Sequence, residues 1–189
     1  MAFDLKSARY WAQALIGEAV GPGCRVVDAT LGNGRDAEWL ARLVGDGGMV
    51  YGFDVQPAAI ESARVRLDAA GLLGRCRLIC AGHERMAEFI GGPIDGALFN
   101  LGWLPGGDKA VTTRADTTIA AADAALKLLK PGGLMTMCVY PGHPEGSREL
   151  DAAIAWARGL PGDRFDAMIR AYLNQPGHPP AMIAVQKRR

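Results

Sequence analysis

The sequence predicts an α/β fold built on a mostly parallel sheet of seven strands with helices on both faces. Three observations carry that expectation. Short apolar strands alternate with helical segments along most of the chain, the pattern of a parallel sheet covered on both sides. A glycine-rich turn, Gly32-Asn-Gly-Arg-Asp-Ala37, joins the first strand to the helix after it. The last two strands, 165–173 and 181–186, have no helix between them, which predicts an antiparallel C-terminal hairpin at the sheet edge.

The elements follow in order. Residues about 4–19 read as an opening helix. Cys24 to Asp28 is the first strand, and Ala37, Leu40, Ala41 and Val44 then recur at helical spacing until Gly47-Gly48. Met49 to Asp54 is strand two. Pro57 suits the first turn of a helix whose apolar face is Ile60, Ala63, Leu67 and Ala70. Arg75 to Cys80 is strand three, a short helix is expected over 83–90, and Ile94 to Asn100 is strand four. Ala115, Ile119, Ala122, Leu126 and Leu129 mark a long helix that Pro131-Gly-Gly133 stops. Leu134 to Tyr140 is strand five, with a helix over 145–159 after it. Pro179-Pro180 precedes the last strand, where a missing N–H is tolerated.

At 189 residues the chain is expected to form one domain, 1–189, with one sizeable core. Hydrophobic residues make up 49% and charged residues 22%, which argues against disorder. No apolar run approaches the roughly 18 residues needed to cross a bilayer, and the N-terminus lacks a signal-peptide pattern. The expected location is cytoplasmic. Cys24, Cys76, Cys80 and Cys138 form no C-x-x-C pair and read as reduced, mostly buried thiols, Cys76 and Cys80 on one side of the same strand. The histidines do not fall at zinc-ligand spacings, so no metal is expected. A net charge of +1 gives no global basic field, and Lys187-Arg-Arg189 reads as a solvated tail rather than a phosphate clamp.

The glycine turn fits G-x-G-x-x-G/A between a strand and a helix, and Asp54 lies 20 positions after Gly34. Gly32, Asn33 and Gly34 therefore suit a ribose-binding site. Alone, they fit a nicotinamide dinucleotide and S-adenosylmethionine equally. The carboxylates of Asp28 and Asp36 separate the two. Beside a helix N-terminus that must hold pyrophosphate they repel; beside the ammonium and sulfonium of S-adenosylmethionine they attract. Asp54, an acceptor-only group, suits two ribose hydroxyls. A capping or turn role for Asp28 is the alternative.

A second segment, Phe99-Asn-Leu-Gly-Trp-Leu-Pro105, ends strand four. Ligands of open α/β sheets bind outside the carboxyl ends of strands, so Asn100 is expected to face the crevice of Asp28. Methyl transfer to an amine is governed by placement, and Asn100 is suited to hold the amine through its hydrogens. Trp103 is either a stacking platform for a planar base or a lid aromatic.

These motifs resemble a known family. Val-Asp-Ala-Thr-Leu-Gly-Asn-Gly-Arg-Asp (27–36), Phe-Asp-Val-Gln (53–56), Gly-His-Glu (82–84) and Phe-Asn-Leu-Gly-Trp-Leu-Pro-Gly-Gly-Asp-Lys (99–109) are similar to small class I S-adenosylmethionine-dependent methyltransferases of the rRNA methylase type. Thr117-Thr-Ile119, Tyr140-Pro-Gly-His143, Asn174-Gln175 and Pro179-Pro180 extend the similarity over nearly the whole chain. The resemblance implies a Rossmann-like fold, S-adenosyl-L-methionine as cofactor, and tRNA as partner, read at the anticodon loop. The implied reaction is methylation of the aminomethyl group of 5-aminomethyl-2-thiouridine at the wobble position. It implies cofactor roles for Asn33, Asp54, Gln56 and His83, with Gly82 beside them. It also implies an acceptor pocket lined by Asn100 to Lys109, including Trp103, Asp108 and Lys109, with Tyr140 and His143 on the same rim. The sequence departs from the family pattern at Arg35, where His or Asn is usual, at Gly82, where serine is common, and at Gln-Pro-Gly-His (175–178), which replaces a more usual Asn-containing linker.

Several side chains keep two readings. His83 is a cofactor contact or a helix-start cap. Asp108-Lys109 orients substrate or forms a turn ion pair. His143 is a substrate contact or a surface turn residue, and Arg114 a phosphate contact or the exposed start of a helix. Methyl transfer to rRNA or to a small molecule, an NAD-dependent oxidoreductase and a silent nucleotide-binding module remain as alternatives. No membrane partner is expected, and a homodimer is left open.

Overall fold

The structure, a computed structural model, describes residues 5–103 and 112–189. Helix α1 (Ala8–Ala19) begins after Ser7, whose hydroxyl accepts the Tyr10 N–H at 3.2 Å, so it opens later than the apolar pattern alone predicts. Then come β1 (Arg25–Asp28), α2 (Arg35–Val44), β2 (Met49–Asp54), α3 (Pro57–Ala69) and β3 (Cys76–Cys80). A single 3-10 turn at His83–Arg85 runs into α4 (Met86–Phe89), which together fill the expected short helix. The chain continues through β4 (Ile94–Asn100), α5 (Ala115–Leu128), β5 (Leu129–Val139), α6 (Pro144–Arg158), β6 (Phe165–Arg170) and β7 (Ala181–Lys187).

The seven strands form one sheet in the order β3-β2-β1-β4-β5-β7-β6. All neighbouring pairs from β3 to β5 are parallel. Strand β7 runs antiparallel to both β5 and β6, which is the C-terminal hairpin expected from the missing helix. Side chains alternate between two cores. Ala97 and Phe99 of β4 join Met135, Met137 and Val185 under α5 and α6, where Ala121, Ala125 and Ala153 allow close approach. Leu98, between them, faces the other way with Val26, Val50 and Met182 against Ile16, Leu40 and Leu67 of α1, α2 and α3. Period-2 alternation of this kind places the central strands between two helical layers.

Three expectations are corrected. Pro131-Gly-Gly133 does not separate the long helix from strand five: α5 ends at Leu128, and Leu129 already pairs with Ile94. The register then jumps to Gly96↔Leu134, so the Pro-Gly-Gly segment is accommodated as an irregularity within β5. Lys187 is not a solvated tail residue. It lies in β7, and its Nζ donates to the carbonyls of Leu129 (2.7 Å) and Leu126 (3.3 Å), closing the carboxyl end of α5. Arg188 pairs with Asp166 at 2.8 Å. Of the four cysteines only Cys138 is fully buried, and Cys80 is exposed. Burial pushes the thiols of Cys76 and Cys138 up, to about 11 and about 12. Among the described residues no helix is long and apolar enough to cross a membrane.

The turn before α2 is fixed by glycine. Gly34 has φ +74°, and a Cβ there would lie 2.9 Å from the Ala63 Cα of α3. Gly34→Ala is expected to cost about 2 kcal/mol, from the left-handed backbone and this close approach. That corresponds to a fall of roughly 4–8 °C in Tm for a chain of this size. Gly74→Ala, with nothing within 4 Å, is the control and should leave Tm unchanged; equal melting of both variants would refute the packing argument.

Candidate functional site

The strand order reverses between β1 and β4, and the crevice at such a switch point is where open α/β sheets bind ligands. A cavity of about 660 Å³ opens there, within the roughly 300–1,000 Å³ of small-molecule sites. Loops after β1, β2, β3 and β4 wall it, with Arg9 of α1, Thr112–Arg114, Thr117 and Tyr140 completing the rim.

One end of the cavity is built from the tips of β2 and β3. Asp54 ends β2, and its carboxylate is held by two backbone donors, Gly32 N–H at 3.0 Å and Gln56 N–H at 2.9 Å. Each oxygen keeps a lone pair for a ligand hydroxyl. Gln56 and Asn33 line the same wall. Buried His83 places Nδ1 3.0 Å from the Ala29 carbonyl. A carbonyl only accepts, so Nδ1 carries the proton and Nε2 is the acceptor. Burial holds the imidazole below its ordinary range, which keeps it neutral. Gly82 leaves room for the Glu84 carboxylate to fold back against its Cα, and both line the cavity.

The other end is organised around Asp36, in the first turn of α2. Its Oδ1 accepts from Arg9 Nη2 (2.6 Å), Arg9 Nε (3.2 Å) and Gln13 Nε2 (2.7 Å). Its Oδ2 accepts from Asn100 Nδ2 at 3.1 Å. The Asn100 Oδ1 in turn accepts from the Tyr140 hydroxyl at 2.8 Å. Burial pushes the Tyr140 phenol up to about 12, so it stays a donor. A carboxylate on one side and a phenol on the other fix which way the Asn100 amide points. The Asn100 backbone N–H is held by Thr30 Oγ1 at 2.7 Å. Oδ1 retains one free lone pair toward the cavity wall it helps to form.

Asp28 sits elsewhere than its sequence position implies. It is fully buried beneath the loop rather than on the cavity wall. Its Oδ1 accepts the Thr30 N–H at 3.2 Å, and its Oδ2 has no partner. Desolvation first, then repulsion from Asp36 and Asp54, pushes this carboxyl up to about 8. The shift favours the protonated form of Asp28, while the carboxylates of Asp36 and Asp54 line the cavity.

The remaining residues divide. Gly32, Trp103, Arg35 and Arg114 line the cavity. Gly34 is buried against α3 instead. Trp103 packs against His143, ring centroids 4.7 Å apart and tilted by 58°. His143 is the N-cap of α6, its Nδ1 accepting the Gly146 N–H at 3.1 Å; it does not line the cavity, and it packs against Trp103, which does. Arg114 is largely exposed, with a loose contact to Asp116 at 3.8 Å. Asp108 and Lys109 lie outside the described residues.

Sequence reasoning missed Arg9, Thr113 and Glu149. Nothing in local spacing links Arg9 to Asp36, 27 residues away. Glu149 of α6 is buried, accepting from Thr118 Oγ1 at 2.6 Å and Thr113 Oγ1 at 3.0 Å. A buried acid on an otherwise amphipathic helix was the available signal.

The strand order, the carboxylate at the tip of β2 and the cavity suit an S-adenosylmethionine-dependent methyltransferase, and the comparisons identify that class. The sequence profile of the family described as "Putative rRNA methylase" matches residues 50–186. The chain is 38% identical over 186 residues to the chloroplastic tRNA (mnm5s2U34)-methyltransferase of Arabidopsis thaliana, an alignment covering 92% of this chain and 67% of that protein. Its fold matches the crystal structure of a "putative rRNA-methylase" from Clostridium thermocellum with TM-score 0.96, 36% identity and coverage of 98% and 100% of the two chains. A Streptococcus mutans methyltransferase crystallised with S-adenosylhomocysteine matches with TM-score 0.89 and 30% identity, covering 97% and 99%. The chain belongs to this rRNA methylase family, and its cofactor is S-adenosyl-L-methionine.

The carboxyl of Asp28 titrates near 3.8 in its ordinary state and near 8 when folded. Between those values the unfolded chain has released this proton and the folded chain has kept it. Stability therefore falls as pH rises from about 4 to about 8 and levels off above. Asp28→Asn, which cannot titrate, is expected to flatten this part of the Tm profile. Parallel wild-type and variant profiles between pH 5 and pH 8 would show that Asp28 ionises normally.

Proposed function

We propose that the protein methylates the amine of 5-aminomethyl-2-thiouridine at the wobble position of tRNA. The observation that carries this reading is the Asp36–Asn100–Tyr140 chain, which presents an oriented amide oxygen across the cavity from the Asp54 ribose cradle. The plant relative, named for that tRNA position, supports the choice of substrate.

Asp54, Asn33, Gln56 and His83 form the end of the cavity suited to the cofactor's nucleoside. Asp54 takes the ribose hydroxyls, and His83, neutral and with Nε2 unprotonated, accepts without adding charge. Bound S-adenosylmethionine supplies an electrophilic methyl group on a sulfonium. The chain's own residues have to present a neutral amine with its lone pair free. Asn100 Oδ1 accepts one amine hydrogen, which turns the lone pair away from the amide and toward the methyl donor. Asp36, its charge already paired with Arg9, contributes by fixing that amide. The methylated ammonium then loses its extra proton to solvent. The gain comes from placement rather than from a dedicated acid, because the thioether leaves uncharged. Trp103, 37% exposed on the rim, offers a face on which a splayed anticodon base stacks.

Three outcomes test the reading. Asp54→Ala is expected to weaken S-adenosylmethionine binding by about 100-fold or more, since two charge-assisted hydrogen bonds are lost; unchanged affinity in calorimetry would sink the assignment. Asn100→Ala should leave cofactor affinity intact and slow transfer by about 100-fold. Mass spectrometry of tRNA and rRNA nucleosides from cells with and without the gene identifies the acceptor. Loss of the methylated wobble uridine supports this proposal, whereas loss of a methylated rRNA nucleoside transfers it to the ribosome.

A further inference from the structure

After β4 ends at Asn100, residues 101–103 meet residues 112–113, which lead into α5, in a neck. Trp103 and Thr112 form an antiparallel bridge. Thr113 N–H donates to the Gly102 carbonyl at 3.0 Å, and Gly102 N–H donates to Thr113 Oγ1 at 2.8 Å. The Thr113 hydroxyl hydrogen is thereby directed away from the neck, onto Glu149 Oε2 at 3.0 Å. The other Glu149 oxygen accepts from Thr118 Oγ1 of α5 at 2.6 Å. Glu149 is 1% exposed and Thr118 fully buried. A carboxylate so deep in an α6–α5 interface is costly unless its lone pairs are filled. Here the donors that fill them are Thr113 of the neck and Thr118 of the helix that follows it.

We propose that Glu149 is a positioning residue for methyl transfer: through Thr113 it locks the neck formed by Gly102-Trp103 and Thr112-Thr113 and so fixes Trp103 relative to Asn100. It touches neither substrate nor cofactor. Its effect passes through one hydroxyl that serves both limbs, as acceptor for Gly102 and donor to the carboxylate. Thr118 shares the same carboxylate without belonging to the neck, which separates positioning from plain stability. This assignment rests on the acceptor reading given above.

Thr113→Val and Thr118→Val each remove one hydroxyl from Glu149 with nearly constant shape. Turnover is measured on an anticodon stem-loop carrying 5-aminomethyl-2-thiouridine, with calorimetry for S-adenosylhomocysteine and amide hydrogen exchange alongside. Thr113→Val is expected to lower kcat/KM for the RNA by about 10- to 100-fold, keep cofactor affinity within about twofold, and expose the Gly102 and Thr113 amides to exchange. Thr118→Val should lower Tm and leave kcat/KM near that of the parent. Glu149→Ala should match Thr113→Val in turnover, and adding Thr113→Val to it should cost little more, as coupled residues require. Glu149→Gln, which keeps one acceptor, should recover most of the loss. Equal effects of the two threonine variants on turnover, or full neck protection in Thr113→Val, overturn the proposal. If the parent protein itself does not methylate the RNA, the acceptor reading fails, and the exchange measurement still decides whether Glu149 locks the neck.

Discussion

Asp36 is where the molecule is tied together. Its carboxylate gathers donors from Arg9 and Gln13 on α1 and from Asn100 on β4, while its own backbone belongs to the first turn of α2. The anion sits at a helix N-terminus, where the aligned peptide dipoles favour negative charge. A guanidinium and two amides satisfy it in a largely buried place, which makes the partners mutually dependent. Without Asp36 the Asn100 amide has no fixed orientation on its nitrogen side, and Arg9 is left beside the cavity with no counter-charge. The neighbouring Asp28 shows the opposite outcome for the same side chain. Buried with one oxygen unpartnered and two carboxylates nearby, its carboxyl is pushed toward the protonated form.

Much of the fold was legible because period and punctuation agreed with each other. The apolar runs at β1, β2 and β4 were short and bounded by polar or glycine residues, and the absence of a helix between 165–170 and 181–187 required an antiparallel return. The errors arose where tertiary pairing overrode local chemistry. Pro131-Gly-Gly133 is a strong helix stop, but β4 recruits Leu129 ahead of it, so the break falls inside a strand. Lys187 reads as part of a basic tail until the end of α5 is placed beside it. At the site, Asp54 and Asn100 were visible because each ends a strand and Gly32 because it lies in the turn after one, and strand ends in this architecture converge on one crevice. Arg9, Thr113 and Glu149 were invisible because their partners lie between 11 and 36 residues away. Asp28 was legible as important and misplaced in kind: its position at the end of β1 was clear, but only the folded chain shows that it supports the loop from below.

The two ends of the cavity differ in how they are held. The Asp54 end is fixed by main-chain N–H groups of Gly32 and Gln56, which cannot be altered without moving the backbone. The Asn100 end is fixed by side chains from four elements or their flanking loops. A ribose is common to all molecules of the cofactor, so a rigid backbone cradle suits it. An acceptor base differs between related enzymes, and side-chain partners can be exchanged one at a time without disturbing the sheet. Arg35 and Gly82, two of the three departures from the family pattern, fall on the cavity wall and leave every strand pairing intact.

The strand order also dictates when the sheet can be finished. Strand β7 is synthesised after β6 yet lies between β6 and β5. On the ribosome β6 therefore emerges with no neighbour to pair with, and β5 presents an open edge until residues 181–187 arrive. During that interval Met168 and Ile169, which remain half exposed even in the finished sheet, belong to an unpaired apolar strand. Closure by β7 satisfies both edges at once. The nascent protein thus has its most association-prone moment late in translation, after both ends of the cavity have already been made.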